Sequence, residues 1–115
     1  MFAGLSHLFR PKARDPQWLD VATLRRQMGE GAAPLIVDVR GADEFDGPLG
    51  HIEGAMNIPL PELAARQDEI AAGRPVVCVC LTDKRSSAAA AQLAAHGVGD
   101  IAVLRGGMKA WREAG

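Results

Sequence analysis

Two short runs of mostly branched apolar residues, Leu35-Ile36-Val37-Asp38-Val39 and Val76-Val77-Cys78-Val79-Cys80, constrain this chain more than any other feature. Neither run alternates apolar with polar residues. Each therefore reads as a strand buried on both faces, the pattern of a parallel sheet. Parallel strands need crossover connections, and helical segments lie where crossovers must run. Asp20 is placed to cap a helix through Met28, with Val21, Leu24, Arg25 and Met28 on one side. Pro61 suits the first turn of a helix running to Ile70 or Ala71, which Gly73 and Pro75 would stop. Ser86–Ala95 is rich in alanine, with Ser86 or Ser87 as N-cap and Gly97 as C-terminal cap. Trp18-Leu19, Ala55–Ile58 and Ile101–Leu104 supply further strands, and Gly106-Gly107 leads into a last helix near Met108–Glu113. The spacing predicts an α/β domain with a mostly parallel sheet and helices on both faces.

A length of 115 residues holds one such domain. With 13 basic against 14 acidic residues, no net field draws the chain to nucleic acid. No stretch approaches the roughly 20 apolar residues of a membrane span, so no transmembrane segment is expected. Cys78 and Cys80 are too close in sequence for a disulfide framework, and with three scattered histidines they give no zinc-binding spacing. No metal is expected. Residues 1–16 read as an N-terminal arm and linker, with the domain over 17–115. Phe2, Leu5, Leu8 and Phe9 fall at helical spacing before a basic stretch. The arm is either a frayed terminus or a short amphipathic segment that touches a partner or a membrane surface. It lacks the features of a secretory signal, which predicts a cytoplasmic protein.

The site argument starts at Cys80, which should emerge at the carboxyl end of the strongest strand. Ligands of parallel sheets bind beyond those ends. Leu81-Thr82-Asp83-Lys84-Arg85 then forms a tight turn into the next helix. Such a turn can direct successive backbone N–H groups inward, and the helix dipole, Lys84 and Arg85 add positive charge. This environment favours the thiolate, the nucleophilic form of cysteine. Cys78, inside the apolar run, reads as a small core side chain.

These residues carry a resemblance. The chain resembles the single-domain rhodaneses, sulfurtransferases that carry sulfane sulfur as a cysteine persulfide. The matching motifs are Asp38-Val39-Arg40 with Glu44-Phe45, then Gly50-His51-Ile52-Glu53-Gly54-Ala55-Met56-Asn57-Ile58-Pro59, then Cys80-Leu81-Thr82-Asp83-Lys84-Arg85-Ser86, and finally Leu104-Arg105-Gly106-Gly107-Met108-Lys109-Ala110-Trp111. They occur in family order. The resemblance implies a three-layer sandwich around a parallel sheet of about five strands. It implies Cys80 as nucleophile, with Leu81, Thr82, Asp83, Lys84, Arg85 and Ser86 forming the substrate cradle. Thiosulfate or a protein persulfide would donate sulfur, and cyanide, a thiol or an acceptor protein would take it, with no cofactor. The alternative from another class is a relay or docking module without turnover.

Phosphatase or arsenate-reductase-like chemistry is disfavoured by loop length. The phosphatases that share this fold place a longer loop between cysteine and arginine, whereas only Leu81–Lys84 intervene here. Asp83 stands where many rhodaneses carry glycine. It tolerates a left-handed backbone better than most residues, but its carboxylate would lie beside an anion site, which puts a preference for thiosulfate in question. The segment Asp46-Gly47-Pro48-Leu49 is expected as a surface loop. Asp38, Arg40, Glu44 and His51 are expected as structural support, with Arg40 pairing with Glu44 and His51 forming a structural hydrogen bond. Arg105 is expected as a solvated side chain, and Trp111 as a core or lid anchor.

Overall fold

The computed structural model describes residues 16–70 and 73–115. Readings that fall on residues 1–15 and on Ala71 lie outside these. Five strands form the sheet: β1 (Gln17–Leu19), β2 (Leu35–Asp38), β3 (Met56–Asn57), β4 (Val76–Val79) and β5 (Ile101–Leu104). Their order is β1-β5-β4-β2-β3, and every neighbouring pair is parallel. The helices are α1 (Val21–Gly29), α2 (Ala42–Phe45), α3 (Leu63–Arg66), α4 (Lys84–Ala95) and α5 (Gly107–Glu113).

The pleat sorts the apolar runs between two cores. Val37, Cys78 and Val103 stand in register across three strands. They pack with Val39, Ile58, Leu63, Ala89, Ala90 and Leu93, beneath α3 and α4. Ile36 and Val77, also in register, face the other way and pack with Leu24, Ile52, Met108 and Trp111, beneath α1 and α5. Asp20 caps α1 by accepting a hydrogen bond from the Thr23 N–H at 2.8 Å. Trp111 is buried in this second core, and Arg25 lies 4.5 Å above its ring.

The expected continuous helix from Pro61 is absent. Leu60–Glu62 and Gln67–Glu69 wind as 3-10 turns on either side of the single α-turn Leu63–Arg66. Between Leu63 and Ile70, both buried, Ala64 and Ala65 are exposed. That segment has no continuous apolar stripe to hold a regular helix against the sheet, and short helices depend on such packing.

The start of α5 lies directly against the segment that follows β4. Gly107 sits at φ +56°, and a Cβ there would come within 2.3 Å of the Cys80 carbonyl oxygen and 2.5 Å of that of Thr82. Both obstacles are backbone, so neither can swing aside. Gly107→Ala is expected to cost about 3 kcal/mol through left-handed strain and overpacking. Urea unfolding of the two proteins checks this, and a loss within experimental scatter would contradict the close approach.

Candidate active site

Cys80 is the residue after β4 and is only 1% exposed. Leu81, Thr82 and Asp83 alone separate it from α4, which begins at Lys84, two residues before the expected serine caps. Asp83 occupies the N-cap position without capping the helix. Its carboxylate instead accepts a hydrogen bond from the Gly106 N–H at 2.7 Å. The backbone at Asp83 has φ −131°, so the left-handed conformation anticipated there is not used. Left-handed geometry occurs across the gap, at Gly106 and Gly107, where no Cβ opposes it.

Three links hold this turn to α5. Besides the Asp83 carboxylate, the Cys80 carbonyl accepts from the Met108 N–H at 2.8 Å and the Leu81 carbonyl from the Lys109 N–H at 3.0 Å. In a trans peptide the C=O and the following N–H point in opposite directions. Carbonyls turned toward α5 therefore leave the Leu81 and Thr82 N–H groups pointing away from it. The N–H groups of residues 81–85 have no acceptor among the described residues, whereas that of Ser86 donates to Cys80 Sγ at 3.2 Å.

Ser86 meets the thiol twice. The Cys80 S–H donates to Ser86 Oγ at 3.2 Å, and the Ser86 hydroxyl donates to the Asp83 carbonyl at 3.1 Å. Once the thiol loses its proton, the hydroxyl hydrogen can turn to the sulfur, giving a side-chain and a backbone donor on the same atom. Cys78, two residues earlier on the same face of the strand, has no such environment. Burial, helped by the nearby Cys80, pushes its thiol up to about 12, so it stays protonated.

The charges around the turn are paired differently from the sequence reading. Arg40 does not bind the Glu44 carboxylate. It forms a buried fork on Asp38, with Nη2 2.8 Å from Oδ2 and Nε 3.0 Å from Oδ1. Its remaining donors reach the carbonyls of Glu44 (3.2 Å) and Gly50 (2.7 Å). Asp38 is buried beside it, and a buried carboxylate needs a charge partner more than the half-exposed Glu44 does. Glu44 pairs instead with Arg85, 41 residues away, through contacts of 2.7 and 3.0 Å. The Arg85 hydrogen bonds, with help from the Gly41 N–H, lower the Glu44 carboxyl to about 2. The side chains of Leu81, Thr82 and Lys84 are exposed.

His51 Nδ1 lies 2.9 Å from the Phe45 carbonyl, and its ring stacks on that of Phe45 at 3.6 Å. This geometry ties the chain beyond α2, and among the described residues no hydrogen bond links His51 to Cys80. Arg105 is exposed and lies 4.6 Å above the Trp18 ring. Asn57 was not anticipated as support. Its side-chain amide donates to the Asp38 and Arg40 carbonyls at 3.0 and 2.9 Å, fixing the end of β2. The only signal for it was a polar residue inside a short strand. Among the described residues no cluster of three His, Cys, Asp or Glu side chains could hold a metal ion, and no helix is long and apolar enough to cross a membrane.

The Glu44–Arg85 pair has a pH signature. A carboxyl lowered from 4.5 to about 2 on folding stabilises the protein fully above about 4.5, and that contribution is lost as pH falls toward about 2. The melting-temperature difference between wild type and Glu44→Gln should therefore shrink over that interval. A difference independent of pH would contradict the pairing.

The Rhodanese-like domain family matches residues 20–114. Thiosulfate sulfurtransferase GlpE of Shewanella oneidensis is 39% identical over 88 residues, covering 76% of this chain and 85% of that protein. An uncharacterized protein of Bacillus subtilis, YqhL, is 45% identical over 76 residues, which is 66% of this chain but only 59% of the relative's own length. Among solved structures, a rhodanese-related protein from Thermoplasma volcanium superposes with a TM-score of 0.77 at 27% identity, covering 86% of this chain and 93% of that one. With its five-stranded parallel sheet and the thiol at the end of the central strand, the chain belongs to the rhodanese-like domain family.

Proposed function

We propose that this chain transfers sulfane sulfur through a persulfide on Cys80. The observation that carries the reading is the convergence of the Ser86 N–H and hydroxyl on a buried Sγ, next to five backbone N–H groups without an acceptor among the described residues. The start of α4 adds partial positive charge at the same place. Sulfurtransferase relatives support the reaction class.

In the first half-reaction the Cys80 thiolate attacks the outer sulfur of the donor. With thiosulfate, a new S–S bond forms to Cys80, the donor S–S bond breaks, and sulfite leaves with its electron pair. With an alkyl or protein hydropersulfide, a thiolate leaves instead. The terminal sulfur on Cys80 then carries the charge, and the N–H groups of the Cys80 turn supply donors to it without reorganising. In the second half-reaction cyanide or a thiolate attacks that terminal sulfur, and the electron pair of the breaking S–S bond returns to Cys80. No proton need be abstracted by His51 in either step.

Thiocyanate formation from thiosulfate and cyanide tests the proposal. Cys80→Ala should fall to the uncatalysed rate, whereas Cys78→Ala should retain most activity. Activity equal to wild type in Cys80→Ala would overturn it.

A further inference from the structure

We infer that Glu44 sets which sulfur donor the Cys80 site accepts: by engaging the Arg85 guanidinium, it withholds that cation from a dianionic donor, and the site favours a hydropersulfide over thiosulfate. The inference rests on the reading of Cys80 as the sulfur carrier and assigns its donor class.

Arg85 is the second residue of α4 and precedes Ser86, which holds Sγ by both its N–H and its hydroxyl. It is close enough to Cys80 for charge on that sulfur to favour its protonated form, after the larger effect of Glu44. Lys84 is exposed and in no salt bridge among the described residues, so Arg85 is the cation of this turn whose availability to a donor anion is set by a carboxylate of the scaffold. Both terminal nitrogens are occupied, with Nη1 on Glu44 Oε1 at 2.7 Å and Nη2 on Oε2 at 3.0 Å. A parallel fork of this kind is the most specific arrangement available to an arginine and a carboxylate.

The carboxylate is held in place from its own side. Glu44 Oε1 also accepts from the Gly41 N–H at 3.1 Å, and Arg40 Nη1 donates to the Glu44 carbonyl at 3.2 Å. The pair nevertheless sits at the solvent boundary, with the two side chains 36% and 38% exposed, so it lies outside the packed core. Asp83 does not withhold Arg85, because its carboxylate accepts from the Gly106 N–H; its charge adds to that of the turn in every variant compared below.

The two donor classes differ in what they ask of the site. Thiosulfate presents two negative charges, with a sulfonate attached to the sulfur under attack. A hydropersulfide presents at most one charge on its two sulfurs, and the group that leaves is a thiolate. Backbone N–H groups and one helix start suit charge localised on a single sulfur. A sulfonate calls for a side-chain cation, and Glu44 cancels the charge of Arg85.

Glu44→Gln keeps the side-chain shape and removes the charge. On a Cys80→Ser background, where no sulfur can be transferred as a persulfide, thiosulfate should bind about tenfold tighter by calorimetry when Glu44→Gln is added. Adding Arg85→Gln to that pair should abolish the gain. With Cys80 intact, Glu44→Gln should lower the thiosulfate KM by about the same factor, and change the KM for an uncharged alkyl hydropersulfide far less. If Glu44→Gln does not fold, Arg85→Gln alone serves, because it uncovers the Glu44 charge and should weaken thiosulfate binding more than it affects an uncharged alkyl hydropersulfide. Thiosulfate affinity unaffected by these changes, or a parallel change for both donors, would overturn the role of Glu44. Absence of sulfur transfer in every protein with Cys80 intact would instead overturn the reading of Cys80, and the binding comparison would still decide the charge argument.

Discussion

The arrangement of the site depends on how the start of one helix anchors the turn after the central strand. Met108 and Lys109 draw the Cys80 and Leu81 carbonyls toward α5, and Gly106 holds the Asp83 carboxylate in the same direction. A planar trans peptide cannot direct its oxygen one way without sending its N–H the other. That the Leu81 and Thr82 N–H groups have no acceptor among the described residues is therefore a consequence of backbone bonds formed on the far side of the turn. Gly107 permits the approach, because any side chain there would collide with the turn's own backbone.

A second layer fixes the ends of the strands around that turn. The buried Asp38–Arg40 fork closes β2, Asn57 bridges its carbonyls, and Arg40 reaches on to α2 and Gly50. Because Arg40 is used up in this way, Glu44 is left to reach Arg85 at the entrance to α4. One buried ion pair thereby determines the partner of a half-exposed one, and the charge presented near Cys80 follows from pairing made in the scaffold.

The sheet and the position of Cys80 were legible because they follow from local pattern. Unbroken branched runs mark doubly buried strands, and the last residue of the strongest run comes out at the sheet's carboxyl edge. Asp20 was legible as a cap for the same reason, since its bond to Thr23 spans three residues. The ion pairs were not. Glu44 had two arginines within reach, and only the burial of Asp38 decides which one is free. The start of α4 was misplaced because serine is a good N-cap by propensity, whereas here the Ser86 hydroxyl is engaged with the thiol and the Asp83 carbonyl. The segment after Pro61 was read as one helix from its bounds, Pro61 in the first turn and Gly73 and Pro75 at the end. Alanine does not oppose a helix, but neither does it anchor one, and Leu63 and Ile70 supply the anchoring.

Intact-protein mass after incubation with a sulfane-sulfur donor tests the central claim most directly. A persulfide held on Cys80 would add about 32 Da, reversible by dithiothreitol and absent from Cys80→Ser. An unchanged mass in the native protein, or the same gain in Cys80→Ser, would contradict a sulfur carrier built around this thiol.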